Sequence, residues 1–338
     1  MKRKKLRMAI NGFGRIGRIA ARIAIEHPQI NLVAINSRSP SDSSAYLLKY
    51  DSVYGTFSKK INSQKNFLLV DNQKIVYFQE EDLKKINWSK ANVDIVIDAT
   101  GKFRTAAECQ KHLKKGVKLV IISAPAKDKT PTYILGVNEK DFNPLKEKII
   151  SNSSCTTNCL GPTLKVLDES FQVKRGFMST IHSLTRTQNL LDGSSKKDLR
   201  LGRSSLANII PTSTGAAKDI GKVLPQLKDK VICQSLRVPL LTVSLIDLVV
   251  ETEKKADAFQ VNSSFKKAAQ GYAKGILEVN EEEIVSSDLK GPYSAVIDSL
   301  LTKTTDHLIK ICAWYDNEWG YGQRLIDMVL YTWQKITK

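Results

Sequence analysis

The sequence predicts an α/β protein whose first half is built around a parallel β-sheet. Three observations support this fold class. A glycine-rich turn separates an apolar strand from an amphipathic helix, and two further apolar segments have the continuous pattern of strands buried on both faces. The length of 338 residues also suits two domains, at roughly 150 residues each.

The first strand is predicted at residues 6–10, followed by a turn from Asn11 to Arg18 and a helix over residues 16–27. The helix is indicated by apolar side chains spaced three and four residues apart, at Ile16, Ile19, Ala20, Ile23 and Ala24. Pro28 ends this helix, and the next strand is predicted at residues 31–36.

This unit carries Gly12, Gly14 and Gly17 in a G-x-G-x-x-G pattern. Gly12 permits the tight turn, Gly14 lets the backbone approach a pyrophosphate, and Gly17 lets helix and strand pack closely. Main-chain amides and the helix dipole then stabilise phosphate charge. Further parallel strands are predicted at residues 93–100 and 118–123, so we expect a dinucleotide beyond the carboxyl ends of the strands.

The end of the second strand bears on the choice of cofactor. Such a strand commonly ends in an acid that binds ribose hydroxyls, but here it ends in Asn36-Ser37-Arg38, and the next acid is Asp42. An acid would repel a 2′-phosphate, whereas a serine and a nearby arginine would accept one. Arg38 is either such a phosphate ligand or a solvated loop residue, and these residues alone leave both interpretations open.

Composition excludes several classes of protein. Hydrophobic residues at 42% and charged residues at 25% are typical of a globular domain and not of a disordered chain, collagen or coiled coil. The longest apolar stretch, residues 236–250, is interrupted by charge and proline, and the basic N-terminus lacks a following apolar signal region. We therefore expect a cytoplasmic protein. The net charge of +18 indicates either anionic partners or simple solubility.

Two of the five cysteines, Cys155 and Cys159, lie in a segment whose residues suit nucleophilic catalysis. The cysteines show no Cys-x-x-Cys spacing, so we expect neither a metal site nor thioredoxin chemistry. Cys155 follows a polar cluster after a predicted strand at residues 148–150 and precedes a helical pattern over residues 160–167, which predicts a helix N-terminus at Cys155. This position lowers a thiol pKa. Cys159 lies one turn further in, and we expect it to be buried and structural.

His182 is the histidine best placed to serve as a base. It lies at the end of an apolar strand beside hydroxyl residues, whereas the other three histidines fall on predicted helices or in a charged loop. A histidine paired with Cys155 would activate the thiol as a nucleophile.

Around Cys155 the sequence Ser154-Cys-Thr-Thr-Asn-Cys-Leu resembles the active-site signature of phosphorylating glyceraldehyde-3-phosphate dehydrogenases. The resemblance extends over nearly the whole chain. It includes the motifs that begin at Ala9 (AINGFGRIGR), Lys49 (KYDSV), Ala99 (ATGKF), Ile210 (IPTSTGAAK), Leu236 (LRVP) and Trp314 (WYDNEWGY).

The resemblance implies a Rossmann-type domain over residues 1–154 and an α+β catalytic domain with a mixed or antiparallel sheet over residues 155–319. A C-terminal helix, at about residues 320–338, is expected to return to the first domain. The family is usually tetrameric, so the resemblance also implies a homotetramer.

The resemblance implies covalent catalysis by Cys155 with His182 as the base. The thiolate attacks the aldehyde, hydride leaves to a nicotinamide, and inorganic phosphate cleaves the thioester. Residues implied to hold the substrate phosphate are Thr185, Thr187 and Arg237. Residues implied to hold the attacking phosphate are Ser154, Thr156, Thr214 and Gly215.

The family match also implies a set of cofactor-binding residues. They are Gly12, Phe13, Gly14, Arg15, Ile16, Asn36, Ser37, Thr100, Ser123, Ser194, Asn317 and Tyr321. Two of them depart from the NAD-linked pattern: Ser37 replaces the ribose-binding aspartate, and Ser194 stands where NAD-linked relatives usually have proline. Both changes remove obstacles to a 2′-phosphate, so we expect NADP use or dual specificity for NAD and NADP.

The sequence leaves two alternative functions open. An erythrose-4-phosphate dehydrogenase shares the thiol and histidine but commonly lacks the Thr-x-Thr pair at Thr185 and Thr187, whose presence favours the triose substrate. A nucleic-acid-binding protein on the same scaffold is motivated by the charge of +18, although the basic residues are dispersed and no aromatic RNA motif is visible.

Overall fold

The computed structural model describes residues 5–114, 116–186, 188–195 and 198–338. The chain forms two compact units. The first comprises the chain up to Tyr133, Lys140–Ser153 and Leu325–Lys338, and the second comprises Ile134–Glu139 and Ser154–Arg324. Residues 134–139 therefore group with the second unit, although they precede the predicted boundary after residue 154.

The described part of the first unit forms one eight-stranded sheet. Its strands are β1 (Leu6–Asn11), β2 (Ile30–Asn36), β3 (Ile61–Gln64), β4 (Phe67–Val70), β5 (Gln73–Phe78), β6 (Ile95–Asp98), β7 (Leu119–Ile122) and β8 (Ile149–Ser151). Their order across the sheet is β3-β4-β5-β2-β1-β6-β7-β8. All pairs from β5 to β8 are parallel, and β3, β4 and β5 pair antiparallel at the edge.

The helices of this unit are α1 (Arg15–Glu26), α2 (Ser41–Lys49) and the short α3 (Ala106–Cys109). Helix α1 begins at the glycine-rich turn, with Gly14 as its N-cap in an extended conformation. Its apolar stripe is fully or nearly fully buried at Ile19 and Ile23. Strands β1, β6 and β7 are buried on both faces, which confirms the α/β fold predicted from their continuous apolar runs.

The second unit contains a mixed sheet, as the family resemblance implied. Its strands are β9 (Val173–His182), β10 (Ile210–Ser213), β11 (Val231–Arg237), β12 (Ser244–Thr252), β13 (Leu277–Asn280), β14 (Ala295–Asp298), β15 (Lys303–Thr305) and β16 (Leu308–Tyr315). Their order is β10-β11-β9-β12-β16-β14-β13, with β15 paired to β16. The pairs β11–β9 and β13–β14 are parallel, and the others are antiparallel.

The helices of the second unit are α4 (Cys155–Phe171), α5 (Ala216–Val223) and α6 (Ala258–Gln270), and α7 (Trp319–Ile336) begins in it and ends in the first unit. Apolar side chains of α4, α5 and α6 pack with those of the central strands into one core, which includes Leu164, Ile220, Phe265, Leu248 and Ile311. Strand β12 alternates buried and half-buried residues along its length, because its sheet buries one face against these helices. In the described part of the chain, none of the helices combines the length and apolar character needed to cross a bilayer.

The glycine-rich turn has little room for side chains. Gly12 has φ of +95°, and a Cβ at this position would lie 2.6 Å from the main-chain N of Thr100. Gly14, only two residues away, has φ of −76°, and a Cβ there would meet nothing within 4 Å. The two glycines therefore serve different purposes: one closes the turn, and the other leaves open space beside the start of α1.

This contrast gives a matched prediction. Gly12→Ala should destabilise the protein by about 2 kcal/mol or more, because it adds both a strained backbone and a main-chain clash. Gly14→Ala should change the free energy of unfolding by less than about 0.5 kcal/mol. Urea unfolding followed by circular dichroism measures both values, and equal destabilisation by the two variants would contradict this account of the turn.

Candidate active site

Helix α4 places Cys155 at its first residue, as the sequence predicts. Ser154 is the N-cap in an extended conformation, and its hydroxyl accepts a hydrogen bond from the Thr157 amide at 3.1 Å. This cap fixes the direction in which the chain enters the helix, so the Cys155 side chain lies beside the unpaired amides of the first turn. The Cys155 side chain is half-buried, and Cys159, one turn later, is completely buried as expected.

Strand β9 ends at His182 and brings its ring to the thiol. The His182 Nε2 lies 3.6 Å from the Cys155 Sγ. The histidine is 4% exposed, so the pair is shielded from water on the imidazole side. The two residues predicted to be the nucleophile and its base are thus adjacent, although 27 positions separate them in the sequence.

The pairing of β11 with β9 places a third side chain, that of Arg237, next to His182. In the parallel pairing of β11 with β9, Arg237 lies opposite His182. The Arg237 Nη1 lies 2.5 Å from the His182 Nδ1 and donates to the Ser183 carbonyl at 3.2 Å. A cation therefore lies directly behind the imidazole ring, on the side away from the sulfur.

The same His182 Nδ1 lies 2.7 Å from the Ser183 carbonyl oxygen. Donation to that oxygen requires a proton on Nδ1, whereas a hydrogen bond from Arg237 requires a lone pair there. The first arrangement leaves Nε2 with a lone pair facing the Cys155 sulfur, as a base requires. The second places the proton on Nε2. The position of the Arg237 guanidinium therefore selects the tautomer of the base.

Burial governs the protonation states of the pair. Burial, reinforced by the Arg237 charge, lowers the pKa of His182 to about 3, so the imidazole is neutral at physiological pH. Burial also raises the pKa of the Cys155 thiol, although the Arg237 charge, the Thr156 hydroxyl and the amides of residues 155 and 156 all act to lower it. The expectation that the helix N-terminus leaves this thiol with a lowered pKa is therefore wrong, because loss of hydration outweighs the amides and the cation.

Tyr315, at the end of β16, contacts both the start of α4 and the His182 ring, and the sequence did not single it out. Its hydroxyl lies 3.0 Å from the Thr156 Oγ1 and 2.7 Å from the Thr180 Oγ1, and its ring meets His182 edge-on. Burial raises the tyrosine's pKa, so its hydroxyl stays neutral. The residue does fall within the Trp314 motif, but only the pairing of strands brings it to the start of α4.

The predicted anion-binding residues fall into two groups. Thr185 is half-buried, three residues after His182, and its amide donates to the Gln188 Oε1 at 2.9 Å. Arg237 lies opposite His182 in the sheet, and Thr187 lies outside the described residues. In the other group, the hydroxyls of Ser154 and Thr156 are held by Thr157 and Tyr315, which matches ordinary capping as much as anion binding.

The last two predicted phosphate residues lie where β10 leads into α5. Thr214 directly follows Ser213, the last residue of β10. The first residue of β10, Ile210, is the one that pairs with Arg237, so Thr214 lies beyond the other end of this strand. Gly215 is the exposed N-cap of α5 and has no side chain, and the Thr214 hydroxyl accepts from the Ala216 amide at 3.3 Å. The main-chain amides at the start of α5 are therefore suited to an anion.

The predicted cofactor residues of the first unit lie at one edge of its sheet. Gly12, Phe13 and Gly14 form the turn after β1, and Arg15 and Ile16 begin α1. Asn36 ends β2 and Ser37 follows it, Thr100 lies two residues beyond β6, and Ser123 follows β7. Because these four strands are adjacent and parallel, their carboxyl ends meet at the same edge. Arg15 pairs with Asp51 at 2.5 Å, and Phe13 is buried, so these two side chains stabilise the turn itself.

The turn fits the phosphates of a dinucleotide. The first turn of α1 has no side-chain cap, the open space beside Gly14 leaves its amides accessible, and a Cβ on Gly17 would lie 2.1 Å from the Gly12 carbonyl. Gly12 thus permits the tight turn, Gly14 leaves the amides accessible to a phosphate, and Gly17 allows close packing of α1, as a dinucleotide-binding turn requires. At the end of β2, Ser37 is buried, and Arg38 is exposed, with its Nη1 3.8 Å from a Glu81 carboxylate oxygen.

The remaining cofactor residues belong to the second unit. Asn317 is buried, and its Oδ1 accepts hydrogen bonds from the Ser183 hydroxyl at 2.9 Å and the Ser244 hydroxyl at 3.1 Å. Both hydroxyls hold the oxygen, so the orientation of the Nδ2 donor is fixed. Tyr321 is buried on α7, and Ser194 is exposed in the loop after β9. Ser183 and Ser244 are a pair that sequence reasoning missed.

Comparison with known proteins agrees with this geometry. Residues 6–106 match the profile described as glyceraldehyde 3-phosphate dehydrogenase, NAD binding domain, and residues 154–317 match that of the C-terminal domain of the same enzyme. The chain is 46% identical to the cytosolic glyceraldehyde-3-phosphate dehydrogenase of Chlamydomonas reinhardtii, with 98% of each chain covered. It is 45% identical to the glyceraldehyde-3-phosphate dehydrogenase of Geobacillus stearothermophilus, with 96% of this chain and 98% of the relative covered.

The charge balance around the thiol predicts a pH dependence. The thiolate is the form that reacts with iodoacetamide, and burial raises the thiol's pKa, so alkylation of Cys155 should accelerate with rising pH to beyond the ordinary range of a free thiol. Arg237→Met removes a cation that lowers this pKa. Alkylation at about pH 8 should then slow by about three- to tenfold.

Labelling rates from mass spectrometry measure this effect, with Cys155→Ser as the blank for the other thiols. Arg175→Met is the matched control, since Arg175 is exposed on the same strand as His182 and pairs with Glu251. An unchanged or faster rate in Arg237→Met would show that Arg237 does not stabilise the thiolate.

Proposed function

This chain belongs to the glyceraldehyde-3-phosphate dehydrogenase family, and we propose that it oxidises glyceraldehyde 3-phosphate with inorganic phosphate, using a nicotinamide dinucleotide. The observation that carries the proposal is the Cys155 Sγ at the start of α4, 3.6 Å from a neutral His182 Nε2. A nucleophile within reach of a base, on rigid elements, is the arrangement that covalent catalysis requires.

In the first step the Cys155 sulfur adds to the aldehyde carbon, and the thiol proton passes to the His182 Nε2. His182 can accept it in the neutral tautomer that donates from Nδ1 to the Ser183 carbonyl and leaves a lone pair on Nε2. The protonated His182 Nε2 then returns this proton to the oxyanion, which gives a hemithioacetal and leaves the imidazole neutral again. Amides of the first turn of α4 and the protonated imidazole are suited to stabilise the negative charge on that oxygen.

In the second step His182 takes the proton of the hemithioacetal hydroxyl as the carbon loses its hydride, leaving a thioester on Cys155. A bound nicotinamide dinucleotide supplies the hydride acceptor. Phosphate oxygen then attacks the thioester carbon and the carbon–sulfur bond breaks. The acyl phosphate is the product, and Cys155 departs from the carbon as a thiolate, which regains a proton from His182. The Arg237 charge supports this departure, because it favours the thiolate.

The anion sites follow from the charges of substrate and phosphate. We assign Arg237, Thr185 and Thr187 to the phosphate of the aldehyde, and Ser154, Thr156, Thr214 and Gly215 to the attacking phosphate. The support is the guanidinium of Arg237 for the first site and, for the second, the main-chain amides that follow Gly215 at the start of α5. Because Arg237 also contacts His182, a bound anion would draw the guanidinium away from Nδ1 and favour the basic tautomer.

Loss of the nucleophile tests the mechanism. Cys155→Ser should lower phosphate-dependent oxidation of glyceraldehyde 3-phosphate by at least about a thousandfold, because a hydroxyl is a far weaker nucleophile than a thiol. Cys159→Ala, one turn further along the same helix, should stay within about threefold of the wild type, since that thiol serves only as a small buried group.

Absorbance of the reduced nicotinamide follows the reaction with and without phosphate. Activity that survives in Cys155→Ser would refute the covalent mechanism. Activity that is independent of phosphate would refute the phosphorylating reaction, and preferential turnover of erythrose 4-phosphate would change the substrate.

We also propose that the chain uses NADP, alone or together with NAD. Ser37 presents a small side chain where a carboxylate would repel a 2′-phosphate, and the neighbouring Arg38 is exposed and only loosely paired with Glu81. Ser194 is exposed in its loop, so its hydroxyl is accessible to a ligand. Asn317 is assigned to the nicotinamide carboxamide through its oriented Nδ2, and Tyr321 to the surroundings of that ring.

A single added charge tests the choice of cofactor. Ser37→Asp should weaken NADP binding by about tenfold or more through repulsion of the 2′-phosphate, and should leave NAD binding unchanged or improved. Ser43→Asp adds the same charge on an exposed position of α2 and should affect both cofactors by less than about twofold. Titration calorimetry gives both affinities, and equal effects of Ser37→Asp on the two cofactors would refute the assignment.

Finally, we propose that the chain assembles with further copies of itself, as a homotetramer. Phe177 on β9 and Ile232 on β11 lie opposite each other in register and are 66% and 62% exposed. Two large apolar side chains side by side on a sheet face are typical of a protein interface. The opposite face of this sheet carries the helices, so this face is the one left for a partner copy.

A further inference from the structure

A chain of polar side chains lies in the interior of the first unit, behind the nucleotide turn. It consists of Trp88, His112, Asp98, Asn11 and Asn36, here called the Asp98 network, and none of the five is more than 4% exposed. Polar groups are buried only where hydrogen bonds replace their hydration, so the network must be fully satisfied to be tolerated. None of its five residues takes part in the catalytic steps described above.

The direction of each hydrogen bond follows from the chemistry of its donors. The Trp88 indole N–H, which can only donate, lies 3.1 Å from the His112 Nδ1. That nitrogen must therefore carry a lone pair, and the ring proton must be on Nε2. The Nε2 lies 3.1 Å from the Asp98 Oδ2 and donates to it. Trp88 thus fixes His112 in the orientation in which its Nε2–H donates towards Asp98.

Asp98 collects hydrogen bonds from four donors. Its Oδ2 also accepts from the Asn11 Nδ2 at 2.8 Å, and its Oδ1 accepts from the amide and the hydroxyl of Thr100 at 3.1 and 2.5 Å. Four donors on a carboxylate with no exposed surface are the means by which a buried charge is tolerated. Exchange of any donor for an apolar group would leave this charge undersatisfied.

The network continues from Asn11 into β2. The Asn11 Oδ1 accepts from the Asn36 Nδ2 at 2.7 Å, and the Asn36 Oδ1 accepts from the Glu80 amide at 3.0 Å. The side chain of Asn36, predicted to contact the cofactor, is therefore occupied within the protein. Its contribution to a ligand is indirect.

Asp98 joins the turn after β1 to the turn after β6, and both lie at the predicted dinucleotide site. Asn11 immediately precedes Gly12, and the Thr100 main chain lies so close to Gly12 that a Cβ there would approach it to 2.6 Å. The network also decides what Thr100 offers a ligand. Its hydroxyl proton is given to Asp98, so its oxygen can only accept, as it does from the Lys102 amide at 3.2 Å.

We propose that Trp88, His112 and Asp98 are positioning residues for dinucleotide binding, which hold the turns at Gly12 and Thr100 in the bound geometry before the ligand arrives. The inference rests on the proposed nicotinamide dinucleotide cofactor. A preorganised turn binds more tightly because less conformational entropy is lost on association. The Thr100 oxygen, as an acceptor, is matched to a hydroxyl or amine of the adenosine half and not to a phosphate oxygen.

The test compares two substitutions at His112 in the full chain. Leucine removes both nitrogen contacts, whereas glutamine retains one acceptor for Trp88 and one donor for Asp98. His112→Leu should weaken NAD and NADP binding about tenfold, the effect of an unsatisfied buried group of about 1.4 kcal/mol, and His112→Gln should restore binding to within about threefold. Titration calorimetry reads the affinity without requiring turnover.

Further readouts separate positioning from general destabilisation. The alkylation rate of Cys155, in the second unit, should be unchanged in both His112 variants. If His112→Leu does not fold, Trp88→Phe removes a single donor and should weaken binding about threefold, whereas Trp314→Phe, which removes an indole donor to Asp298 in the second unit, should not.

Wild-type affinity in His112→Leu or Trp88→Phe, or equal weakening by His112→Leu and His112→Gln, would overturn the proposal. Dinucleotide binding by the wild type without aldehyde oxidation would instead refute the proposed function and leave the positioning role intact.

Discussion

The position of β9 between β11 and β12 is the constraint on which the candidate site depends. Its pairing with β11 sets Arg237 opposite His182, and the pairing of β12 with β16 brings Tyr315 to the same end of the sheet. Side chains alternate between the two faces of a sheet, so a slip of one residue in β9 would turn His182 away from Cys155. The catalytic geometry is therefore specified by the apolar alternation that holds these strands in register.

Burial determines the charge states of Cys155 and His182. The thiol and the imidazole both rest in their neutral forms, because the interior disfavours an ion at either position. Arg237 is the group that biases this pair, since its charge favours the thiolate and disfavours the imidazolium. The site is thus arranged to develop charge during the reaction and not to store it beforehand, which is how preorganised groups contribute most to a transition state.

Local patterns in the sequence carried enough information for the central elements. The glycine spacing predicted the turn at Gly12, the polar cluster predicted the start of α4 at Cys155, and an apolar run predicted that His182 ends a strand. The role of Tyr315 was not predictable, because it depends on contacts between residues 135 to 159 positions apart. The direction of the Cys155 pKa shift was missed for a related reason: it depends on the depth of burial, which no local motif reports.

The first unit is discontinuous in the chain, and this has a consequence for its synthesis. Its final piece, Leu325–Lys338, contributes Leu325, Ile326, Met328 and Val329, all with no exposed surface, and the Lys118 ammonium lies 4.6 Å above the Trp333 ring. A ribosome makes these residues after the rest of the unit. The nucleotide-binding unit therefore cannot complete its core until this segment has been translated, although its glycine turn is made about 300 residues earlier. The second unit, which ends at Arg324, has its whole sequence available earlier, so the final folding event is the return of the C-terminal helix to a sheet begun at the N-terminus.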